Sequence, residues 1–299
     1  MRSRTAKKLS IATPAPQKQS LTDLPKGGSS LPTPLKYKLY TEAVQAPGDS
    51  VEVIDSIFGF TFPHKAHALR EDFCGTFRVG CSWIKSDPAR SALGVDLGQE
   101  PLRFAKKNIA SVLTPEERKR AAVYRQDVRV PTIPRVDVIA AENFSFYIFK
   151  RRAELVSYFR SAYSSLNKKG LLTLDMVGGR GFIDTPNDSR RTLKVKDTGL
   201  PSSAVYRWRQ RRFNAVTNEA MYYIDFQING HWYNEVFSYD WRVWSIAEVT
   251  EALKEAGFDD VVIYWDEERG KESVIKPVTR IASHWETWMC VVAGIKSAT

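Results

Sequence analysis

The sequence is poor in the residues that build disulfide frameworks and metal centres. Its 299 residues hold three cysteines (Cys74, Cys81, Cys290) and four histidines (His64, His67, His231, His284). The cysteines are too scattered for a disulfide framework and form no C-x-x-C pair, which points to a reducing compartment such as the cytoplasm. The histidines show no ligand spacing with one another or with the cysteines, so no metal is expected. Long apolar runs are missing too. The best, Val136 to Ala141, stops at Glu142 and Asn143, far short of the ~20 residues that span a bilayer, and no membrane role is expected. Glycine is sparse where a phosphate-binding loop would need it. Between Phe73 and Phe77 only Gly75 is present, and a pyrophosphate needs more exposed backbone N–H groups than that. A dinucleotide fingerprint is thereby excluded.

What is present is an ordinary globular composition, with 43% apolar and 26% charged residues. The length allows one large domain or two modest ones. The net charge of +10 is uneven: within residues 1–30, Arg2, Arg4, Lys7, Lys8, Lys18 and Lys26 face only Asp23, and carry half of the excess. Residues 1–31, rich in Ser, Thr, Pro and Lys, are expected to be a disordered basic tail. Their acid-poor start is compatible with a transit peptide for a mitochondrion or another organelle, though Pro14 and Pro16 interrupt any amphipathic helix. A plain solvated tail is the equal alternative. The remaining positive bias is mild, and weak support for a nucleic-acid acceptor.

The most informative stretch is Leu69 to Phe77, read together with Gly94-Val95-Asp96-Leu97. An apolar strand ends at Glu71–Asp72, Gly75 opens a turn, and Val79, Trp83 and Ile84 recur at helical spacing. A second apolar strand, Ala92 to Leu97, carries Asp96 at its end. This β-α-β unit suits a nucleoside: the turn admits the ligand to the backbone and the distal carboxylate accepts from ribose hydroxyls. A nucleoside without phosphates fits a loop with one glycine. S-adenosylmethionine is such a ligand, and its methionine ammonium calls for a carboxylate such as Glu71 or Asp72.

The loop Arg70-Glu71-Asp72-Phe73-Cys74-Gly75-Thr76 resembles the first loop of a family of class I S-adenosylmethionine-dependent methyltransferases that reads Arg-Glu-Asp-Phe-Cys-Gly-Thr. The resemblance runs from about Tyr37 to Ile295, through Tyr40 to Gln45, Glu142 to Phe146 and Tyr239 to Arg242. It implies an α/β, Rossmann-like sheet, mostly parallel with an antiparallel last strand, and S-adenosyl-L-methionine as cofactor. By motif match, Glu71 approaches the methionine part and Asp96 holds the ribose, with Arg70, Asp72, Gly75 and Leu97 around them. Asp127, after the third strand, is placed for the adenine amino group or, equally, as a turn cap. Tyr40 and Gln45 close over the cofactor or simply belong to a packing helix. Phe73 and Phe77 stand where the wider superfamily has glycine.

Along the chain, helices are expected over 36–45, 51–60, 101–110, 153–166 and 246–256, and strands over 121–125, 136–141, 171–177, 261–265 and 286–295. Glu142 and Asn143 end the continuous apolar strand at the carboxyl edge, where open α/β sheets bind ligands. The Asn/Asp-Pro-Pro-aromatic and Pro-Cys signatures of base-methylating enzymes are absent there, which argues against a DNA base as acceptor. From Ser189 to Ser203 the chain is polar; from Val205 to Trp244 it alternates and is dense in aromatics, with Asn229-Gly230 as a hairpin turn. Residues 180–244 thus read as an antiparallel insertion in the methyltransferase domain (32–299), serving as a substrate cap. Trp208, Tyr223, Trp232, Tyr239 and Trp241 line its pocket or form its core, the core being favoured for any one of them. Arg207, Arg209, Arg211 and Arg212 read as a solvated face rather than a nucleic-acid surface. Cys74 reads as a packing residue rather than a nucleophile, having no activating base nearby. Asn143, Tyr239 and Asp240 are candidates for orienting the acceptor and His231 for a base. A small-molecule acceptor is the leading reading; an RNA or protein acceptor, or a non-catalytic scaffold, are the rivals.

Overall fold

The computed structural model describes residues 31–194, 203–269, 272–278 and 286–297. The expected basic tail, and with it the transit-peptide reading, lies outside these residues, as does His284. The elements in chain order are α1 (Thr33–Val44), α2 (Pro47–Thr61), β1 (Ala68–Asp72), α3 (Arg78–Ser86), β2 (Ser91–Asp96) and α4 (Gln99–Val112). There follow α5 (Pro115–Arg118), β3 (Ala121–Arg125), β4 (Val136–Ala141), α6 (Arg152–Ser165), β5 (Leu166–Gly178) and α7 (Arg180–Ile183). The chain continues through β6 (Asn187–Lys194), β7 (Ser203–Asn214), β8 (Glu219–Ile228), β9 (His231–Arg242), α8 (Ile246–Ala256), β10 (Asp260–Arg269), β11 (Glu272–Val278) and β12 (Trp288–Lys296).

These elements form two compact units. The first joins Pro47–Val177 to the chain from Trp244 onward. Its sheet has eight strands in the order β11-β10-β12-β5-β4-β1-β2-β3. The pairs β1/β2, β2/β3, β1/β4 and β4/β5 are parallel, while β10 runs antiparallel to β11 and β12. Val138 to Ala141 is continuously apolar because helices cover both faces of such a sheet, while Asp137, inside the stretch expected to be apolar throughout, accepts from His67 N–H and Ala68 N–H (2.9 Å each). On one face Val51, Ile54, Ile57 and Phe58 of α2 and Val79, Trp83 and Ile84 of α3 pack onto Leu69, Val138 and Leu171. Each such side chain contributes roughly 1.5–3 kcal/mol by leaving water. α8 starts at a Ser245–Glu248 capping box and ends at Gly257, whose φ of 109° only glycine adopts cheaply. Consecutive strands run outward from β1 to β3 and then restart at β4 on the other side of β1. That reversal opens a crevice at the carboxyl ends of β1 and β4.

The second unit comprises residues 31–46 and 178–243, with the antiparallel order β6-β7-β8-β9. Asn229 and Gly230, at φ 49° and 80°, make the tight turn that closes Ile228 onto His231. One sheet face presents Tyr206, Ile224 and Phe226 to Leu39 and Ala43 of α1. The same face carries an aromatic stack in which Trp208 lies 5.1 Å from Tyr222 and Tyr239 4.5 Å from Trp241. On the opposite face the fully buried Asp225 accepts from Arg207 Nε (2.7 Å) and Arg209 Nη2 (3.0 Å). Trp232 covers Arg207 at 4.1 Å and Tyr223 covers Arg209 at 4.9 Å.

Several sequence expectations change here. The polar stretch from Ser189 begins inside a strand, β6, and the edge strand β11 was not foreseen. β5 starts at Leu166, five residues earlier than expected. Arg207 and Arg209 are a buried ion cluster, not a solvated face, because Asp225 faces both across the β7–β8 ladder. The five aromatics divide between two faces of the insertion sheet, so Tyr223 and Trp232 do not share a pocket with Trp208, Tyr239 and Trp241.

Candidate functional site

The first unit gathers carboxylates on one face of its sheet, at the open end of the strands. Glu71, one residue before the end of β1, is 3% exposed, and its Oε2 accepts from Gly80 N–H at 2.7 Å. Asp96 ends β2; its Oδ2 accepts from Gly75 N–H (2.8 Å) and its Oδ1 from Gly98 N–H (2.7 Å). Glu142 follows β4 and accepts from the Ser50 hydroxyl at 2.7 Å. Asp175, within β5 and 7% exposed, accepts from Asn143 N–H at 3.0 Å. The parallel register explains the grouping. Glu71 stands opposite Gly94 and Ala140, and Thr173 opposite Ala140, so every second residue along each strand turns to this face.

Among the described residues no Lys, Arg or His forms an ion pair with Glu71, Asp96, Glu142 or Asp175. Their mutual proximity therefore has an electrostatic cost. Burial, opposed in part by the Gly80 N–H, pushes the Glu71 carboxyl up to about 8, with the charges of Glu142 and Asp96 adding to it. Burial raises Glu142 as well, the Ser50 hydroxyl offsetting some of it. Asp175 is driven well above the carboxylate range by burial and then by the charge of Glu142. The adjacent loop also holds a buried hydroxyl, Thr76 Oγ, with no protein partner. A crevice with several carboxylates, no ion pair to them among the described residues and an unsatisfied hydroxyl fits a cationic nucleoside such as S-adenosylmethionine.

The loop departs from the glycine-rich pattern without abandoning its geometry. Phe73 and Phe77 themselves adopt left-handed φ of 53° and 59°. Each costs roughly 1–2 kcal/mol relative to glycine and is held by packing. Phe73 sits against Tyr158 (5.7 Å) and Phe149 (6.0 Å). The fully buried Phe77 ring fills a slot that exists because Gly80 and Gly94 lack side chains: a Cβ on Gly80 would meet the ring at 2.2 Å. Asn143 and Phe144 repeat the left-handed conformation after β4, at φ 55° and 58°.

Other candidate residues fall elsewhere. Arg70 and Asp72 are not in the crevice. Being one residue to either side of Glu71, they point to the other face, where both are fully enclosed. Arg70 donates to Asp72 through Nε (2.7 Å) and Nη2 (2.8 Å), and also to Thr132 and Ser165. Tyr158 OH completes Asp72 at 3.0 Å. Both side chains are thus engaged with each other and with Tyr158, away from the face that carries Glu71 and Asp96. Asp127 caps its turn through Arg129 N–H (2.9 Å) and pairs with the Arg129 guanidinium, which holds its carboxylate below the usual range. Leu97 is 59% exposed beside Asp96. Tyr40, Gln45, His231, Tyr239 and Asp240 belong to the second unit. There Tyr40 and Tyr239 share a hydrogen bond, Gln45 accepts from Thr41 at 3.1 Å, and His231 and Asp240 are exposed. Sequence reading missed Ser50 and Asp175. An acid interrupting the apolar run Leu171 to Val177, in phase with Glu142 on the neighbouring strand, was the available signal for Asp175.

The strand order, with its reversal at β1 and its antiparallel β10, defines a Rossmann-like α/β fold. Solved structures similar to this chain have that fold. DesVI of Streptomyces venezuelae is 15% identical with a TM-score of 0.64, over 88% of this chain and 99% of its own. An amino pentose methyltransferase from Micromonospora echinaspora is 13% identical with a TM-score of 0.62, over 90% and 100%. A sugar N-methyltransferase from Streptoalloteichus is 16% identical with a TM-score of 0.60, over 94% and 99%. No protein-family model and no curated protein sequence matches the chain.

Proposed function

We propose that this chain is an S-adenosylmethionine-dependent methyltransferase acting on a small molecule, of the family whose first loop reads Arg-Glu-Asp-Phe-Cys-Gly-Thr. The observation that carries this reading is the pair Glu71 and Asp96, on one face of the sheet at the ends of adjacent strands, with no ion pair to either among the described residues. Glu71 would hold the ammonium of the methionine part and Asp96 the ribose diol. The exposed Leu97 would lie against the adenine, with Asp127 and Asn143 as further contacts. When bound, the sulfonium supplies an activated methyl group. The protein is left to position the acceptor, exclude water and hold a proton where one must move. The neighbours whose acceptors are an amino pentose and a sugar support a small-molecule acceptor.

The test is calorimetric titration of the full-length protein with S-adenosylmethionine. Saturable binding is expected, and Asp96→Asn, which retains an acceptor oxygen for the loop, should weaken it at least tenfold with circular dichroism unchanged. Unaltered affinity in Asp96→Asn would remove the ribose assignment. No binding to the wild-type chain would leave only a scaffold with this fold.

A further inference from the structure

Resting on the methyltransferase reading, we infer that the acceptor is a basic aliphatic amine, and that Asp175 together with Glu142 takes the proton this amine must release before methylation. Ala140 pairs with Thr173 and Ala141 with Leu174, so Glu142 and Asp175 fall side by side with their backbones about 5 Å apart, close enough for the charge of Glu142 to act on Asp175. Asp175 is more than nine-tenths buried, and among the described residues the one hydrogen bond to its carboxylate runs from Asn143 N–H to Oδ2. Among the described residues Glu142 accepts from the Ser50 hydroxyl alone. Two carboxylates so close, with so little to stabilise them, cannot both be ionised, and hold one proton between them.

The cofactor's own cation would be met by Glu71, on the neighbouring strand β1. The Glu142–Asp175 pair is left with a negative charge and, among the described residues, no ion-pair partner. Phenolates and carboxylates are repelled from such a place, and an ammonium is drawn to it. A plain alcohol gains nothing, since its hydroxyl is too weak an acid to protonate a carboxylate. An ammonium N–H instead passes its proton to the pair, freeing the nitrogen lone pair. The nitrogen–methyl bond then forms as the carbon–sulfur bond breaks, with that electron pair staying on sulfur. The product is again an ammonium, so the positive charge of the sulfonium is conserved. The titratable groups facing the pair are Glu71 on β1, Asp96 beyond it on β2, and Cys290 on β12. Burial first, then the charge of Asp175, raises the Cys290 thiol, which stays neutral.

The test uses the full-length protein, after S-adenosylmethionine binding has been established by calorimetry. Radiolabelled methyl transfer is measured onto a panel of aliphatic amines with matched alcohols and phenols. Label is expected in the amines. Asp175→Asn and Glu142→Gln should lower kcat/KM at pH 7 about a hundredfold or more, and shift the acid limb of its pH profile. An infrared readout is independent of turnover: the ligand-free protein should show a carboxylic-acid C=O band at pH 7 that weakens in Asp175→Asn, a variant that still accepts from Asn143 N–H. Label confined to alcohols or phenols, no labelled amine despite cofactor binding, or an unchanged pH profile in Asp175→Asn would each overturn the inference. Failure of cofactor binding would instead overturn the methyltransferase reading beneath it.

Discussion

At Glu71 the fold keeps a carboxyl where ionisation is unfavourable, and two measurements should respond in opposite directions. The group titrates near 4.5 when unfolded and at about 8 in the folded protein. Between those values the folded state holds a proton that the unfolded chain has lost. The contribution of Glu71 to stability is therefore lost as pH rises through this window, by up to about 1.4 kcal/mol per unit. Glu71→Gln removes the charge and retains an oxygen for the Gly80 N–H. The ligand-free variant should then be more stable than wild type at pH 8 and similar to it at pH 5, by urea unfolding. Its affinity for S-adenosylmethionine should fall at least tenfold, since the ammonium loses its counter-ion. A variant that is less stable at pH 8 and binds normally would make Glu71 a structural acid. Wild-type affinity should rise with pH up to about 8, because a cation favours the ionised form.

Among the elements, the β1–α3 turn shows how a loop with one glycine keeps a glycine-loop path. Phe77 takes the left-handed conformation and drops its ring between Gly80 and Gly94. Gly80→Ala should destabilise by about 1–3 kcal/mol through overpacking against that ring. In a Phe77→Ala background the ring is gone, and alanine is the better helix former by ~1 kcal/mol. The same Gly80→Ala change should then be neutral or stabilising, as a double-mutant cycle in urea will show. A penalty that persists in the Phe77→Ala background would mean that backbone, not the ring, fills the slot. Element legibility followed the same logic of periodicity and packing. β4 and α8 fall on the residues the pattern predicts, because their apolar spacing reports burial directly, and the edge strand β3 was legible from its short apolar run Ala121 to Val123. β6 and β11 escaped because edge strands draw stability from the ladder, and a stretch such as Asn187 to Lys194 has no apolar alternation to display. Within the first loop the motif was visible but the division of labour was not. Strand alternation sends Glu71 to the crevice and Arg70 and Asp72 into the core, and an apolar run concealed Asp175.

For the molecule as a whole, charge and cores are distributed in ways that separate the rival acceptors. Each unit has its own apolar cluster: one under the large sheet, the other between α1 and the antiparallel sheet. The crevice carboxylates lie entirely in the first unit, while half of the net charge of +10 lies in residues 1–30. Cofactor affinity should therefore be indifferent to the tail, because the carboxylates of the crevice and the donors they accept from come from residues 50–175. Deleting residues 1–30 should leave the calorimetric affinity for S-adenosylmethionine within twofold and the rate of methyl transfer to a small amine unchanged. The same deletion should weaken retention on a heparin column, since about five net positive charges go with it. A macromolecular acceptor behaves differently: an RNA held through the tail would lose affinity with each phosphate contact removed, steeply so at low salt. If the truncated protein keeps its cofactor but methylates a small amine more than tenfold more slowly, the tail belongs to the acceptor site, and a small-molecule acceptor held by the folded units alone is wrong.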